Sequence, residues 1–523
     1  MPKPNCDILI IGSGAAGLIA ALALADKNFN VLVITKDAVT ESSSAYAQGG
    51  IAVSLLPTDS PKKHIQDTLK VGLGLCEPKA VEFFINKITD SIQKLSAWGI
   101  PFSGYKEGKV AEEFLGHEAA HSERRILKVD SDLSGRMLMK TLWEKACRHS
   151  KISISQGTFL IELLKDSSTG AIQGGIFQDI NNSIFPIYAS ATILATGGLS
   201  SLYLKSTNPA VSVGDGIACA YRAGAIIRDL EFIQFHPTAL DYKHHFLLSE
   251  ALRGEGAILV NALGERFMQK YAPESLELSS RAVVSQAVWQ EIQENKSVYL
   301  DIRHLGLERI KKTFNGIYSF CKNAGFDLST DLIPITPAAH YTIGGIKTDL
   351  DGKTNLNNLW AIGEVASTGL HGADRLASNS LLECIVSGFQ VAENINQEIN
   401  LSQEFSDQDL NLPTEQANKD KIDLIYSKEQ SHKLKIKMWE LASFNRTEKG
   451  LNNLLDYISS LEVDLLDLSF NPFFNQMRNQ VLASKLLVQS ALQRPYSLGS
   501  HQMAENLNLS NQLSEGLIHT ILK

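Results

Sequence analysis

No Cys-x-x-Cys pair occurs in this chain. Its six cysteines, Cys6, Cys76, Cys147, Cys219, Cys321 and Cys384, are scattered. That spacing offers neither a zinc nor an iron–sulfur site and reads as reduced, mostly buried thiols. Positive charge is not in excess. The 49 Lys and Arg stand against 57 Asp and Glu, a formal net charge of -8, so the basic field of a nucleic-acid binder is missing. There is also no long apolar run free of turn residues. The nearest, Ile8 to Ala25, is broken by Gly12, Ser13, Gly14 and Gly17, which makes it a strand–turn–helix rather than a membrane span or a signal peptide. Internal repeats and low-complexity tracts are lacking too. What remains is the expectation of a soluble, cytoplasmic globular protein. At 523 residues it needs two or three domains.

The N-terminus carries the first positive signal. Ile8–Ile11 reads as a buried parallel strand, Ala15–Ala25 as a helix and Val31–Ile34 as the next strand, a βαβ unit. Gly12-x-Gly14-x-x-Gly17 falls in the turn between the first strand and the helix, where a dinucleotide fingerprint must lie. There the backbone can approach a pyrophosphate resting on the helix N-terminus. One feature is missing. The second strand ends in Thr35 and Lys36, where many such proteins place an acid for the adenosine ribose. Backbone groups near Thr35 and Lys36 are expected to take over that contact, with the lysine charge near the adenine.

Helical patterns fill 61–98, and strands and turns fill 152–194. A hairpin is expected near Asn261–Gly264, and Arg281 stands at a helix start. The stretch 400–421 is polar and reads as a linker. Residues 422–523 show helical periodicity with hardly a strand signal.

Two further segments, "TILATGG" (192–198) and "LWAIGE" (359–364), resemble the later strands of the FAD-binding fold of glutathione-reductase-like flavoproteins. That resemblance makes FAD the cofactor and puts Glu364 near the ribityl and pyrophosphate groups. No second GxGxxG appears, so electrons are expected from the substrate and not from a nicotinamide. No metal site is expected.

A broader match follows. "SSSAYAQGGIA", "DLEFIQFHPTAL", "LLSEALRGEGAI", "LSSRAVVSQ", "PAAHYTIGGI" and "GLHGADRLASNSLLE" occur in this order. The set resembles the succinate dehydrogenase/fumarate reductase flavoprotein family. The resemblance implies an α/β FAD-binding Rossmann-like domain (1–236 and 340–400), an inserted α+β capping domain (237–339) and a C-terminal all-helical domain (422–523). It implies FAD contacts from Gly12, Ser13, Gly14, Ala15, Ala16, Gly17 and Lys36. Others come from Ser43, Ser44, Ala47, Gln48, Gly49 and Gly50, and from Gly197, Asp215, Glu364, Ser380 and Leu381. Substrate contacts would come from Gln234, His236, Ser249, His340 and Arg375. Arg375 suits a carboxylate because its guanidinium binds bidentately. Arg281 takes the proton-donor position of fumarate reduction, with Glu250 and Arg253 as its relay. Ala282 follows it, where many relatives carry Asp.

Two features choose within the family. Respiratory members attach FAD through a histidine five residues before the Gln of "AQGG". Ser43 stands there, so the FAD is expected to be noncovalent. "GHEAAHSERRILK" (116–128) resembles members that oxidise L-aspartate, with Glu118 placed to receive the ammonium. The resemblance then implies oxidation to iminoaspartate, with oxygen or fumarate as acceptor, as the first step of the quinolinate route to NAD. A functional link to quinolinate synthase follows, in a monomer or homodimer with no nucleic-acid or membrane partner. The alternative is a soluble fumarate reductase or a succinate dehydrogenase flavoprotein subunit. A noncatalytic FAD-binding protein would leave His236, Arg281, His340 and Arg375 idle. A tRNA-modifying flavoprotein conflicts with the acidic balance.

Overall fold

A computed structural model describes residues 5–130, 133–243, 245–399, 424–462, 472–504 and 517–523. Its main sheet has seven strands centred on Cys6–Ile11. This strand pairs in parallel with Val31–Thr35 on one side and Ile184–Leu194 on the other, and Ile152–Gln156 continues beyond Val31–Thr35. Leu359–Ala361 also pairs in parallel with Ile184–Leu194. Ile11 and Ala361 are both in register with Leu194. The three expected nucleotide segments therefore end side by side, at the carboxyl edge where open α/β sheets bind ligands.

The helix Ala15–Ala25 is buried at every residue and has no polar face. The sheet and the helices Ser134–Arg148 and Asn379–Glu398 enclose it, which explains a sequence that is apolar all round. Gly12 has φ +115°, and a Cβ there would stand 2.1 Å from the Ala195 carbonyl oxygen. Only glycine lets the first and third nucleotide strands approach this closely.

Two long antiparallel strands, Ile233–Leu240 and Ile333–Thr342, carry the chain out of this body and back. Val298–Asp301 and Ile258–Asn261 complete their four-stranded sheet. The turn after Asn261 bridges Val260 to Arg266, as expected of a hairpin there. This sheet has its own core of Leu240, Leu252, Leu259, Val284, Val288, Leu300 and Ile335 among others.

The C-terminal region differs from the sequence reading. Its helices, Leu424–Ala442, Glu448–Glu462 and Pro472–Gln493, share one continuous core with the main sheet, joining Leu434, Met438, Leu454 and Val481 to Leu9, Ile217 and Phe235. A strand, Ile521–Leu522, then pairs with Ile227–Arg228. Two residues are too short for a period-2 pattern to reveal them. The expected linker 400–421 lies outside the described residues. No helix among the described residues is long and apolar enough to cross a membrane.

Candidate active site

Two adjoining cavities open at the carboxyl edge of the main sheet. The first is lined by Gly12, Ser13, Gly14, Ala15, Ala16, Lys36, Gly197 and Asp215. Ser43, Ser44, Glu364 and Cys384 line both cavities. Gly17 lies behind the wall, with its Cα against the Gly12 carbonyl. The helix beginning at Ala15 has no side-chain cap at Gly14 and no acid in its first turn. The Ala15 N–H donates to Ser44 Oγ at 3.1 Å, and the positive dipole end of the helix suits a pyrophosphate. Glu364 accepts the backbone N–H of Thr342 at 2.9 Å, and burial still pushes its carboxyl up to about 7. A carboxyl that ionises this reluctantly can sit beside phosphates or donate to them. The donor set and the glycine cradle both fit FAD.

Lys36 does not act alone at the adenosine end. Its Nζ bonds Asp215 at 2.6 Å, and Thr35 Oγ1 accepts the Ser13 hydroxyl at 2.7 Å. Two residues expected to contact the nucleotide therefore also neutralise each other.

The second cavity is lined by Ala47, Gln48, Gly49, Gly50, Glu118, His236, Ser249, Glu250, Arg281, His340, Arg375, Ser380 and Leu381. The fold explains this gathering. His236 and His340 lie on the two strands that cross into the second sheet, with ring centroids 5.2 Å apart. Glu250 and Arg281 begin two helices of the 237–339 segment. Glu118 and Arg375 belong to the main body and face them across the cleft.

Both histidines are held well below their ordinary pKa, by burial first and by Arg281 next. They are neutral near pH 7. His236 Nδ1 accepts the Thr238 backbone N–H at 3.3 Å, which puts its proton on Nε2. Nε2 is buried and has no protein partner among the described residues, so it is a free donor on the cavity wall. His340 Nδ1 meets Thr207 Oγ1 at 2.8 Å.

Arg375 stacks 4.3 Å from the centre of the Tyr341 ring, and its buried Nε has no partner among the described residues. Burial and then Arg281 lower it to about 10, so it stays cationic. The Tyr341 hydroxyl donates to Glu383 at 2.8 Å, which fixes the ring under the guanidinium. Arg281 donates to Glu250 at 2.6 Å through Nε and to the Gln234 carbonyl at 3.0 Å through NH1. Burial alone would raise Glu250, but Arg281 and Arg253 outweigh it and hold it below its usual value.

Glu118 behaves oppositely. Burial, then the nearby Glu250, raises it above the usual carboxylate range. Its Oε2 accepts the Ser378 hydroxyl at 2.7 Å. Its Oε1 lies where a Cβ on Gly49 would come within 2.7 Å, so the glycine makes room for the carboxylate.

Two expected residues do not line the cavity. Gln234 lies behind it, bonding Arg281 on one side and Asp374 at 2.7 Å on the other, because its side chain points inward from its strand. Arg253 is buried behind Glu250 at 3.5 Å and also bonds the Glu277 carbonyl. Sequence reasoning missed Ser378, Tyr341, Thr207 and Asp374. Three of them lie within, and Thr207 outside, the motifs that carry the resemblance. Ala282, which lacks the expected acid, has its N–H 3.4 Å from the Asp374 carboxylate.

The family model described as FAD binding domain matches residues 7–381. An L-aspartate oxidase of Nostoc sp. is 40% identical over 89% of this chain and 81% of its own. An L-aspartate oxidase of Yersinia pestis is 39% identical over 95% of each chain. Among solved structures, a variant FrdA of E. coli quinol fumarate reductase superposes with a TM-score of 0.86 at 28% identity, covering 100% of this chain and 94% of that one.

Proposed function

The chain belongs to the L-aspartate oxidase family, and from that premise we infer that it oxidises L-aspartate to iminoaspartate with FAD, the first step of NAD biosynthesis. One observation carries the substrate reading. A buried carboxylate with raised proton affinity, Glu118, shares a cavity with the cationic Arg375 and neutral histidine donors. That set complements an ammonium dicarboxylate, whereas succinate has nothing to offer Glu118.

Bound FAD would supply the two-electron acceptor for the Cα hydride, with oxygen or fumarate as the final acceptor. Gly12–Ala16, Ser43, Ser44 and Glu364 would hold it, without a covalent bond because Ser43 has no imidazole. The chain's own groups do the rest. Arg375 grips one carboxylate with its fork, while His236 Nε2–H, His340 and Ser249 donate to the substrate. Glu118 receives the ammonium and takes one proton at Oε1, leaving the neutral amine whose lone pair assists hydride loss. Arg281, paired with Glu250, adds positive field beside the carboxylates. In fumarate reduction it would donate the proton, resupplied through Glu250 and Arg253. The 237–339 segment excludes water when it closes over the cleft.

A cytoplasmic location belongs to the same proposal and is supported by six cysteines that are all unpaired. So does delivery of iminoaspartate to quinolinate synthase, whose use would suit a readily hydrolysed product. The test is anaerobic mixing of the yellow holoenzyme with L-aspartate or succinate. Flavin bleaching by aspartate alone is expected. Bleaching by succinate and not by aspartate would overturn the assignment.

A further inference from the structure

Asp374 is 2% exposed and lines neither cavity, yet it touches both arginine systems. Its Oδ1 accepts Gln234 Nε2 at 2.7 Å and the Arg375 backbone N–H at 3.1 Å. Its Oδ2 faces the Ala282 backbone N–H at 3.4 Å. Ala282 is the second residue of the helix Arg281–Asn295, whose Ser280 makes no side-chain cap bond and whose first turn has no acid. A helix that opens on a buried arginine concentrates positive charge at that end. Its own sequence supplies no counter-charge there. Asp374 supplies one from the other side of the cleft.

We propose that Asp374 is a positioning residue for Arg281: one carboxylate oxygen caps the helix that Arg281 begins, and the other orients Gln234. The second part follows from hydrogen-bond chemistry. An ionised carboxylate only accepts. Gln234 must therefore turn its NH2 towards Asp374 and its carbonyl towards Arg281 NH1, 3.0 Å away. Gln234 Nε2 also donates to the Arg375 carbonyl at 2.9 Å, so the same amide fixes the spacing of the two arginines. An asparagine at position 374 could offer its own NH2. That choice would let the Gln234 amide turn over and set a donor against the guanidinium. The helix end would also lose its counter-charge.

This proposal rests on the reading that Arg281 acts on the substrate. The experiment measures anaerobic flavin reduction by L-aspartate, and fumarate reduction by dye-reduced enzyme, on purified holoenzyme. Asp374→Asn is expected to slow the limiting rate about tenfold or more, with the aspartate concentration for half-maximal rate changed less and FAD affinity within about twofold. Adding Ala282→Asp to that variant returns a carboxylate to the first helical turn, while the amide oxygen at position 374 can still accept from Gln234. The double variant should recover to within about threefold of the native rate, which a purely structural lesion would not do. A native rate in Asp374→Asn, or a double variant no faster than Asp374→Asn, overturns the proposal. If Asp374→Asn fails to hold flavin, a yellow, active double variant supports it and an inactive one overturns it. Arg281→Gln run in parallel separates the two readings. Native rates there remove the Arg281 reading, whereas an impaired Arg281→Gln beside a native Asp374→Asn removes only this one.

Discussion

Replacing Glu118 with glutamine removes a charge and almost nothing else. The side chain keeps its shape, its acceptor oxygen and room for the 2.7 Å Ser378 bond. What is lost is the charge-assisted part of the bond to the substrate ammonium and, with it, the acceptor for the ammonium proton. Glu118 is only 4% exposed, so water cannot replace that part. Hydrogen bonds to charged groups in such places are worth about 1.5–3 kcal/mol, which sets a floor of about ten- to 150-fold on the loss of kcat/KM for aspartate. Fumarate has no ammonium. Its reduction by the same preparation should change by less than about threefold, a difference of well under 1 kcal/mol.

The pH dependence has a definite sign. In the free enzyme, burial and Glu250 raise the Glu118 pKa, so its ionised form is penalised. A bound ammonium favours that ionised form and lowers the pKa again. Aspartate binding should therefore strengthen as pH rises through the free-enzyme pKa of Glu118 and weaken as pH falls through it. In Glu118→Gln this dependence disappears. Isothermal titration across pH and steady-state rates with both substrates would read it. An equal loss of aspartate oxidation and fumarate reduction, or an unchanged pH slope, would refute the selectivity role.

Other outcomes follow from the same geometry. Arg281→Gln should cut fumarate reduction by about a thousandfold or more, through lost proton donation, and aspartate oxidation far less, since no C3 proton moves there. Parallel assays of both reactions check it. Arg375→Lys loses the fork and the stacking over Tyr341 at 4.3 Å. The aspartate KM should rise about 30-fold or more, from roughly 2 kcal/mol or more of lost pairing, with FAD still bound, as substrate titration of the yellow protein would show. Gly12→Ala puts a methyl 2.1 Å from the Ala195 oxygen at φ +115° and should yield protein without visible flavin absorption after gel filtration.

Local periodicity made the nucleotide end of the fold legible. The first strand, its turn and the helix Ala15–Ala25 stand where the sequence puts them, because each is fixed by neighbours in the chain. The convergence of Ile11, Leu194 and Ala361 was legible only through motifs, since no periodicity reports pairing between strands so far apart in the chain. His236, His340, Glu250, Arg281, Arg375 and Glu118 meet in one cavity, a gathering their motifs implied. The direction of a side chain was not legible. Gln234 and His236 are two residues apart, yet one faces the core and the other the cavity, because register shifts interrupt their strand between 234 and 239. The C-terminal helices looked like a domain of their own, since their apolar stripes say that they pack but not on what.

The missing acid after the second strand shows how charge balance spreads over distance. Lys36 replaces a ribose-gripping carboxylate, and alone it would leave an unpaired cation in a half-closed cavity, at a desolvation cost. Asp215, 179 residues on, meets it at 2.6 Å at the start of the helix Asp215–Ala223. Asn479 of the C-terminal helices donates to the other Asp215 oxygen at 3.3 Å. Lys435, from the same helical region, is held below its ordinary pKa by burial and then by Lys36. Asp37 and Glu41 line the same cavity beside Lys36 and Asp215, so Lys36 stands among several carboxylates. Lys36 and Asp215 therefore act as one unit, and Asn479 ties that unit to the C-terminal helices, outside the Rossmann-like fold.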